Sequence, residues 1–193
     1  MTSVGPGPLV GLVVEGETEY QALPEMLARL GVRCARPSCF HGQSVEAPVE
    51  QLVKHVLSRH VRVQLTKGVD KVVVLLDFEG RQVPPTSFRN QVKRELTRQV
   101  CLTEGEGHRS RIEVVLCNPK FENWLLSDPK GIMKSKLVAR DLSRKVTCHA
   151  DGKDAISLLK LGLRKGVSYR KAVHGPELAK RVRVEDTSVR QCS

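Results

Sequence analysis

The chain has 193 residues, of which 40% are hydrophobic and only 4% aromatic, enough for one compact domain with a core of mainly Val and Leu. The formal net charge of +11 favours a polyanionic partner such as nucleic acid, although a generally basic protein would carry the same charge. Apolar runs are too short to span a membrane and the start lacks the basic region of a signal peptide, so we expect a cytoplasmic protein without membrane contact.

The predicted elements alternate between strands and helices up to about residue 127. Strands are predicted at 8–14, 32–39, 69–76 and 112–116, and helices at 17–30, 48–65 and 85–100 and from residue 121. The alternation predicts an α/β fold with a mostly parallel sheet of about four strands and helices on both faces. Further helices are predicted at 155–163 and 176–182. Residues 128–150 lack clear periodicity, and we interpret them as an insertion in a single domain covering 1–193.

Carboxylates follow two of the predicted buried strands. Glu15 follows the first strand, and Asp77 and Glu79 follow the strand at 69–76. Ligands of open parallel sheets bind at the carboxyl ends of strands, and Glu19 lies one helical turn after Glu15. Oxygen ligands of this kind suit Mg²⁺ or Mn²⁺. The alternative is that acids after a strand interact with the amino end of the next helix, which we prefer for Glu17.

Four motifs, spread over about residues 9–190, resemble one family. A strand–EGxxE–helix unit followed by a strand ending in DxE resembles the Toprim fold of topoisomerases, primases and OLD-type nucleases. The segment NPKFENWLL at 118–126 resembles the NPxFExWLL motif of small bacterial Toprim-like proteins, including the RloB-like group. YRK at 169–171 and HGP at 174–176 resemble a segment of a Toprim-related family often encoded beside ABC- or AAA-type ATPases.

The resemblance implies a metal-dependent phosphodiester site. By position, Glu15, Asp77 and Glu79 would be its catalytic residues and metal ligands, with Glu19 and Glu122 as further candidate ligands. The sequence DxE stands where many Toprim proteins have DxD, which leaves open whether one or two ions bind. Glu122 has an alternative interpretation as a buried glutamate paired with a neighbour such as Lys120 or Arg81.

Other polar residues are assigned more general roles. Six are predicted to contact the nucleic-acid backbone: Arg81, Arg164, Lys165, Arg170, Lys171 and His174. His174 has the alternative of a histidine at a helix start. Tyr20 and Tyr169 are not expected to be nucleophiles. The six cysteines predict no disulfide framework, and the irregular spacing of Cys34, Cys39, His41, Cys148 and His149 argues against a zinc site.

Two functions from different classes follow from these observations. The first is a metal-dependent nuclease of a bacterial defence-type system that acts with an ATPase partner. The second is a non-catalytic nucleic-acid-binding or regulatory subunit, which the charge supports equally well. The sequence has no GxxxxGK[ST] motif, so an ATPase would be a separate partner docked, in our interpretation, on 128–150; a homodimer is left open. The alternative for 128–150 is a local helix that covers the sheet edge.

Overall fold

The computed structural model of the protein describes residues 7–41, 47–143, 146 and 154–185. Its centre is a parallel sheet of five strands in the order β2-β1-β4-β5, with β3 also paired to β1. The strands are β1 (Leu9–Val14), β2 (Arg33–Cys34), β3 (Ser38–Cys39), β4 (Lys71–Asp77) and β5 (Ile112–Cys117). The predicted α/β fold with a parallel sheet is confirmed, and the topology is Rossmann-like.

The short strands β2 and β3 together form the outer edge of the sheet beside β1. β2 pairs with the start of β1 and β3 with its end, so the predicted strand at 32–39 is two pieces separated by a break that contains Pro37. The buried Gln64 side chain fills this break, donating to the Arg36 carbonyl (3.1 Å) and to Ser38 Oγ (2.8 Å). An amide side chain thus supplies hydrogen bonds where the strand lacks them.

Helices cover both faces of the sheet. They are α1 (Glu17–Arg29), α2 (Val49–Leu52), α3 (Ser58–Leu65), α4 (Pro85–Glu104), α5 (Phe121–Leu126), α6 (Pro129–Ile132), α7 (Ala155–Gly162) and α8 (Lys171–Ala179). A π-helical turn, Val53–Leu57, joins α2 to α3, so the predicted helix at 48–65 is continuous but irregular. None of the helices in the described parts of the chain is long and apolar enough to cross a membrane.

The alternation of side chains along β4 divides the core into two layers. Val72, Val74 and Leu76 pack with residues of α2, α3 and α4, whereas Leu75 packs with residues of α1, α5, α7 and α8. Burying a side chain of this size contributes about 1.5–3 kcal/mol, so a strand that is apolar on both sides requires helices on both faces. This confirms the predicted three-layer arrangement.

Helix α8 begins five residues earlier than the predicted helix at 176–182. The Arg170 carbonyl already accepts from the backbone N–H of His174 at 2.8 Å, and Pro176 lies inside the helix. A proline cannot donate to the carbonyl four residues before it, which is why the sequence favoured a start at Pro176. Burial of Leu178 and Ala179 offsets this loss, since both are almost fully inaccessible.

Helices α1 and α8 lie side by side and run in the same direction. Thr18 in the first turn of α1 packs against Gly175 in the middle of α8, where a Cβ atom would overlap the Thr18 methyl group. At their carboxyl ends the Arg29 guanidinium donates to the carbonyls of Ala179 (2.9 Å) and Val182 (2.6 Å). The pair is therefore fixed at two points, and both amino termini lie at the carboxyl edge of the sheet.

The segment at 128–150 folds onto the protein as far as the structure describes it. After α6, Val138 forms an antiparallel bridge with Leu163. The segment buries Ile132, Val138, Leu142 and Val146 in the core layer of α1 and α8. The sequence also predicted that the apolar residues of this segment, Ile132, Met133, Leu137, Val138 and Leu142, would form part of the docking surface. This is wrong for Ile132, Val138 and Leu142, because these side chains pack inward. Leu137 is partly buried and Met133 is exposed; Arg144, Lys145, Cys148 and His149 lie outside the described residues.

A buried ion pair ties the segment to the end of the chain. Asp128 is 2% exposed and accepts from Arg183 through Nε (2.8 Å), a terminal guanidinium nitrogen (2.7 Å) and the backbone N–H (3.0 Å). It also accepts from the backbone N–H of Gly131 in the first turn of α6 (2.9 Å). One carboxylate thus caps a helix and anchors residue 183.

Candidate functional site

A crevice of about 360 Å³ opens at the carboxyl edge of the sheet, between the amino ends of α1 and α8. The five carboxylates predicted as metal ligands all line it: Glu15, Glu19, Asp77, Glu79 and Glu122. These five residues are called the acidic crevice below. Glu17, His41 and Lys171 line it as well. The folded chain therefore brings together every residue of the predicted ligand set.

The backbone of two neighbouring strands positions Glu15 and Asp77. β1 and β4 end side by side, with Val13 opposite Val74 in the register. The Glu15 carboxylate accepts from the backbone N–H of Asp77 at 3.2 Å, and Asp77 Oδ1 accepts from that of Phe121 at 2.9 Å. Asp77 thus satisfies a free amide at the start of α5, and the strand ends and this helix start form one connected unit.

Glu79 forms an ion pair with Lys120 rather than standing free in the crevice. The chain bends after β4, where the backbone N–H groups of Phe78 and Glu79 both donate to the Pro119 carbonyl, at 2.8 and 3.1 Å. The expectation that Asp77 and Glu79 face the same side rested on strand alternation, and β4 ends at Asp77. It is the bend, not alternation, that directs Glu79 toward the crevice.

Glu19 and Glu122 are the most deeply buried members, with 6% and 1% of their surfaces exposed. Glu19 lies in the first turn of α1, where the helix dipole favours a negative charge. Glu122 lies in the first turn of α5, and its Oε1 is 3.5 Å from Lys171 Nζ. Its ion-pair partner is therefore Lys171, not Lys120 or Arg81 as the sequence suggested.

Three carboxyl groups of the acidic crevice, those of Asp77, Glu19 and Glu15, favour the protonated form in the absence of a cation. Burial raises the pKa of Asp77 to about 8, and the charges of neighbouring carboxylates add to the effect. Burial likewise raises the pKa of Glu19 to about 7, and it raises that of Glu15 above its usual range. Carboxylates taken out of water next to one another are costly to ionise unless a positive charge joins them. The electrostatics therefore suit a bound cation.

The donor set fits a hard divalent ion, but the side chains are not drawn up around one. Carboxylate oxygens are the ligands that Mg²⁺ and Mn²⁺ prefer. Across residues 7–41, 47–143, 146 and 154–185, however, no three acidic, histidine or cysteine side chains stand close enough together to hold a metal. Each of the existing contacts occupies one carboxylate oxygen, so ion binding would require Glu15, Asp77 and Glu79 to move closer together around their remaining oxygens.

The cysteines and histidines that the structure describes do not form a zinc site. Cys39 Sγ lies 3.6 Å from His41 Nδ1, and Cys34 is on the neighbouring short strand, but these groups form no metal cluster among the described residues. His41 lines the crevice, a placement that the sequence interpretation missed. The signal was present, because the predicted strand at 32–39 already ends at Cys39, and the rule that ligands bind at strand ends puts His41 at the carboxyl edge.

The predicted nucleic-acid contacts divide into three groups. Lys171 lines the crevice, and Arg81 lies beside it, with its guanidinium 4.3 Å from the Phe88 ring centroid and donating to the Ala47 carbonyl. Arg164, Lys165 and Arg170 are exposed on the surface before α8. His174 is only 8% exposed, and its Nδ1 accepts from the backbone N–H of Arg170 at 3.0 Å. This favours a helix-start role for His174 over a phosphate contact.

Trp124 and the two tyrosines are buried to different extents. Leu125 is fully buried, and Trp124 is partly buried against Phe121, with ring centroids 5.7 Å apart. Tyr20 accepts a hydrogen bond from Arg36 at 2.8 Å, and Tyr169 is buried. Burial raises the pKa of Tyr169 far above its usual range, which opposes formation of the phenolate that a nucleophile needs.

The fold and this site define a Rossmann-like α/β domain with an acidic crevice at the carboxyl edge of its sheet. A family model described as a domain of unknown function (DUF4276) matches residues 14–193, which include all five carboxylates. The protein belongs to this DUF4276 family. No curated protein and no solved structure matches the chain.

Proposed function

We propose that the protein is a metal-dependent nuclease with a Toprim-like site, which hydrolyses phosphodiester bonds with Mg²⁺ or Mn²⁺. The observation that carries the proposal is the convergence of five carboxylates from β4, α1, α5 and the segments after β1 and β4 on one crevice next to Lys171. A purely structural cluster would not be expected to bury several carboxylates with raised pKa values at the edge where parallel sheets bind ligands.

Each part of the site has a role in this chemistry. Glu15, Asp77 and Glu79 would hold the ion, with Glu19 and Glu122 as further ligands, and the bound ion would polarise the phosphate and activate water. Lys171 and Arg81, beside the crevice, would bind the phosphate and offset charge in the transition state. The exposed Arg164, Lys165 and Arg170 would hold the flanking backbone without reading bases.

The setting of this activity is proposed from the Toprim-like motifs. We expect a cytoplasmic nuclease of a bacterial defence-type system, controlled by an ABC- or AAA-type ATPase, since the chain has no P-loop of its own. Because the apolar residues of 128–150 that the structure describes pack inward, a docking surface there would consist of exposed basic residues such as Lys134, Lys136 and Arg140. A homodimer of this chain is also compatible with the proposal.

The direct test is cleavage of plasmid, single-stranded DNA and tRNA with Mg²⁺ or Mn²⁺, with and without a neighbouring ATPase. We expect Asp77→Ala to lower the cleavage rate at least a hundredfold, the scale of losing one preorganised charged group. Glu113→Ala is the matched control, because Glu113 is a strand carboxylate paired with Lys93 outside the crevice. Full cleavage by a clean, folded Asp77→Ala preparation would overturn the proposal.

The second candidate is a non-catalytic nucleic-acid-binding subunit. It is favoured by the partners that the carboxylates already have, namely backbone N–H groups for Glu15 and Asp77 and lysines for Glu79 and Glu122. Titration with Mg²⁺ and Mn²⁺, followed by Trp124 fluorescence and by melting temperature, separates the two candidates. Saturable stabilisation supports the metal site, whereas flat curves support the binding subunit.

A further inference from the structure

The segment before α8 directs two side chains toward Glu122. Arg170 has an extended backbone conformation (φ −121°, ψ 114°), so Tyr169 and Lys171 extend from the same side of the chain and Arg170 from the other. Lys171 reaches Glu122 at 3.5 Å, and Arg170 is exposed. The buried Tyr169 therefore extends from the side of the chain on which Lys171 reaches Glu122.

The Tyr169 hydroxyl is a buried donor that lacks an acceptor. The residue is 8% exposed, its ring lies 6.0 Å from that of His174, and its oxygen has no hydrogen-bond partner among the described residues. A buried hydroxyl without a partner destabilises a fold, and a phenylalanine would fill the same space without that cost. The hydroxyl therefore calls for an explanation outside packing.

The charges of Glu122 and Glu19, the two most buried carboxylates of the acidic crevice, act on this hydroxyl. Burial, together with the charges of Glu122 and Glu19, raises the pKa of Tyr169 well above its usual range. The phenol consequently keeps its proton at any physiological pH and is a permanent hydrogen-bond donor. Its neighbours Glu122 and Glu19 are acceptors.

We propose that Tyr169 is a positioning residue of the acidic crevice, whose hydroxyl donates to the Glu122 carboxylate, directly or through one water, when a divalent cation occupies the crevice. The inference rests on the proposed metal site and adds to it a residue that contacts a metal ligand but not the ion. Lys171 and Tyr169 would then hold Glu122 from one side while its free oxygen faces the ion. Such outer hydrogen bonds orient metal-binding groups, and their loss commonly weakens metal binding tenfold or more.

The test compares Tyr169→Phe with the wild-type protein by calorimetric titration with Mn²⁺. We expect the dissociation constant to rise about tenfold. The melting temperature without metal should stay the same or rise, because the variant removes an unsatisfied hydroxyl and keeps the ring. The matched control is Tyr20→Phe, which alters the only other tyrosine of the sequence and should leave Mn²⁺ affinity unchanged.

A spectroscopic readout separates positioning from packing. In the Tyr20→Phe variant, Tyr169 is the only tyrosine, so the tyrosine doublet of its Raman spectrum reports the hydrogen bonding of that hydroxyl alone. Saturating Mg²⁺ should shift the doublet toward a strong donor. An unchanged doublet, or equal Mn²⁺ affinity in Tyr169→Phe and the wild type, would overturn the inference and leave the metal site standing. Absence of saturable Mn²⁺ binding in the wild type would overturn both.

Discussion

Asp128 and Asp77 are both carboxylates removed from solvent, but their pKa values shift in opposite directions. Asp128 is 2% exposed and receives hydrogen bonds from Arg183 and Gly131. Burial alone would raise the pKa of Asp128, but these donors outweigh it and hold the pKa below the usual range. Asp77 accepts from the uncharged backbone amide of Phe121 and lies among other carboxylates, and burial raises its pKa to about 8.

The difference shows how a structural acid can be told from a candidate ligand. Asp128 is matched by a guanidinium that forms two side-chain bonds, so its charge is compensated within the fold. The acidic crevice gathers more negative charge than Lys120 and Lys171 offset through their ion pairs. An uncompensated group of carboxylates is costly in the free protein, and a cation would remove that cost.

Removal of the compensated acid should produce the largest loss of stability. We expect Asp128→Ala to lower the free energy of unfolding by about 2–4 kcal/mol, because Arg183 loses its partner and α6 loses its cap. Urea unfolding monitored by circular dichroism measures it. The double variant Asp128→Ala/Arg183→Ala should recover part of the loss, and a loss below about 0.5 kcal/mol in the single variant would contradict the structural assignment.

The raised pKa values in the acidic crevice predict that the stability of the metal-free protein falls as the pH rises. The pKa of Asp77 is about 8 in the folded protein against an ordinary 3.8, and that of Glu19 is about 7 against 4.5. Between about pH 4 and pH 8 the folded state therefore binds more protons than the unfolded state, and its stability falls as the pH rises. The two shifts together allow a loss of about 6 kcal/mol between pH 5 and pH 8, and we expect metal-free protein in EDTA to lose at least about 2 kcal/mol of it.

Two controls isolate the contribution of the crevice to this pH dependence. Saturating Mg²⁺ or Mn²⁺ should restore stability at pH 8, because the ion replaces the protons. Asp77→Asn should make the stability depend less on pH and should stabilise the metal-free protein at pH 8. The added ion should stabilise this variant less than it stabilises the wild-type protein. A metal-free protein more stable at pH 8 than at pH 5 would show that the crevice carboxylates ionise freely.

The smallest effect concerns the ion pair between Glu79 and Lys120, whose side chains are 37% and 27% exposed. Lys120→Ala should cost less than about 1 kcal/mol of stability, since ion pairs of this exposure contribute little. If Glu79 is a ligand, its release should raise Mn²⁺ affinity about threefold, or about 0.6 kcal/mol, in calorimetric titration. Lys130→Ala removes the same charge at an exposed site and is the control; equal affinities in the two variants would exclude Glu79.

The strands and the site edge could be predicted because both depend on local patterns. Apolar runs such as 69–76 specify buried strands, and parallel topology places the residues after them at one edge, so the convergence of Glu15 and Asp77 followed from a general rule.

Features that depend on long-range contacts could not be predicted. The pairing of Glu122 with Lys171, 49 positions along the sequence, depends on how α8 docks. The burial of Val138 and Leu142 depends on how α1, α5, α7 and α8 pack against the same face of the sheet. The early start of α8 depends on packing interactions that outweigh the effect of Pro176. Periodicity in a short, mixed segment does not reveal which side chains will be covered.

The contact between Thr18 and Gly175 has a consequence for ionic radius. It sets how closely α1 and α8 approach, and the amino ends of these helices form two walls of the acidic crevice. Oxygen ligands surround Mg²⁺ at about 2.0–2.1 Å and the larger Ca²⁺ at about 2.3–2.6 Å, so a few tenths of an ångström between the walls decide which ion fits. A methyl group added by Gly175→Ala would force the helices apart and should move the preference of the proposed site from Mg²⁺ toward Ca²⁺, which competition between the two ions would measure. The choice between Mg²⁺ and Ca²⁺ would then depend on the absence of a side chain at Gly175, a residue that does not contact the ion.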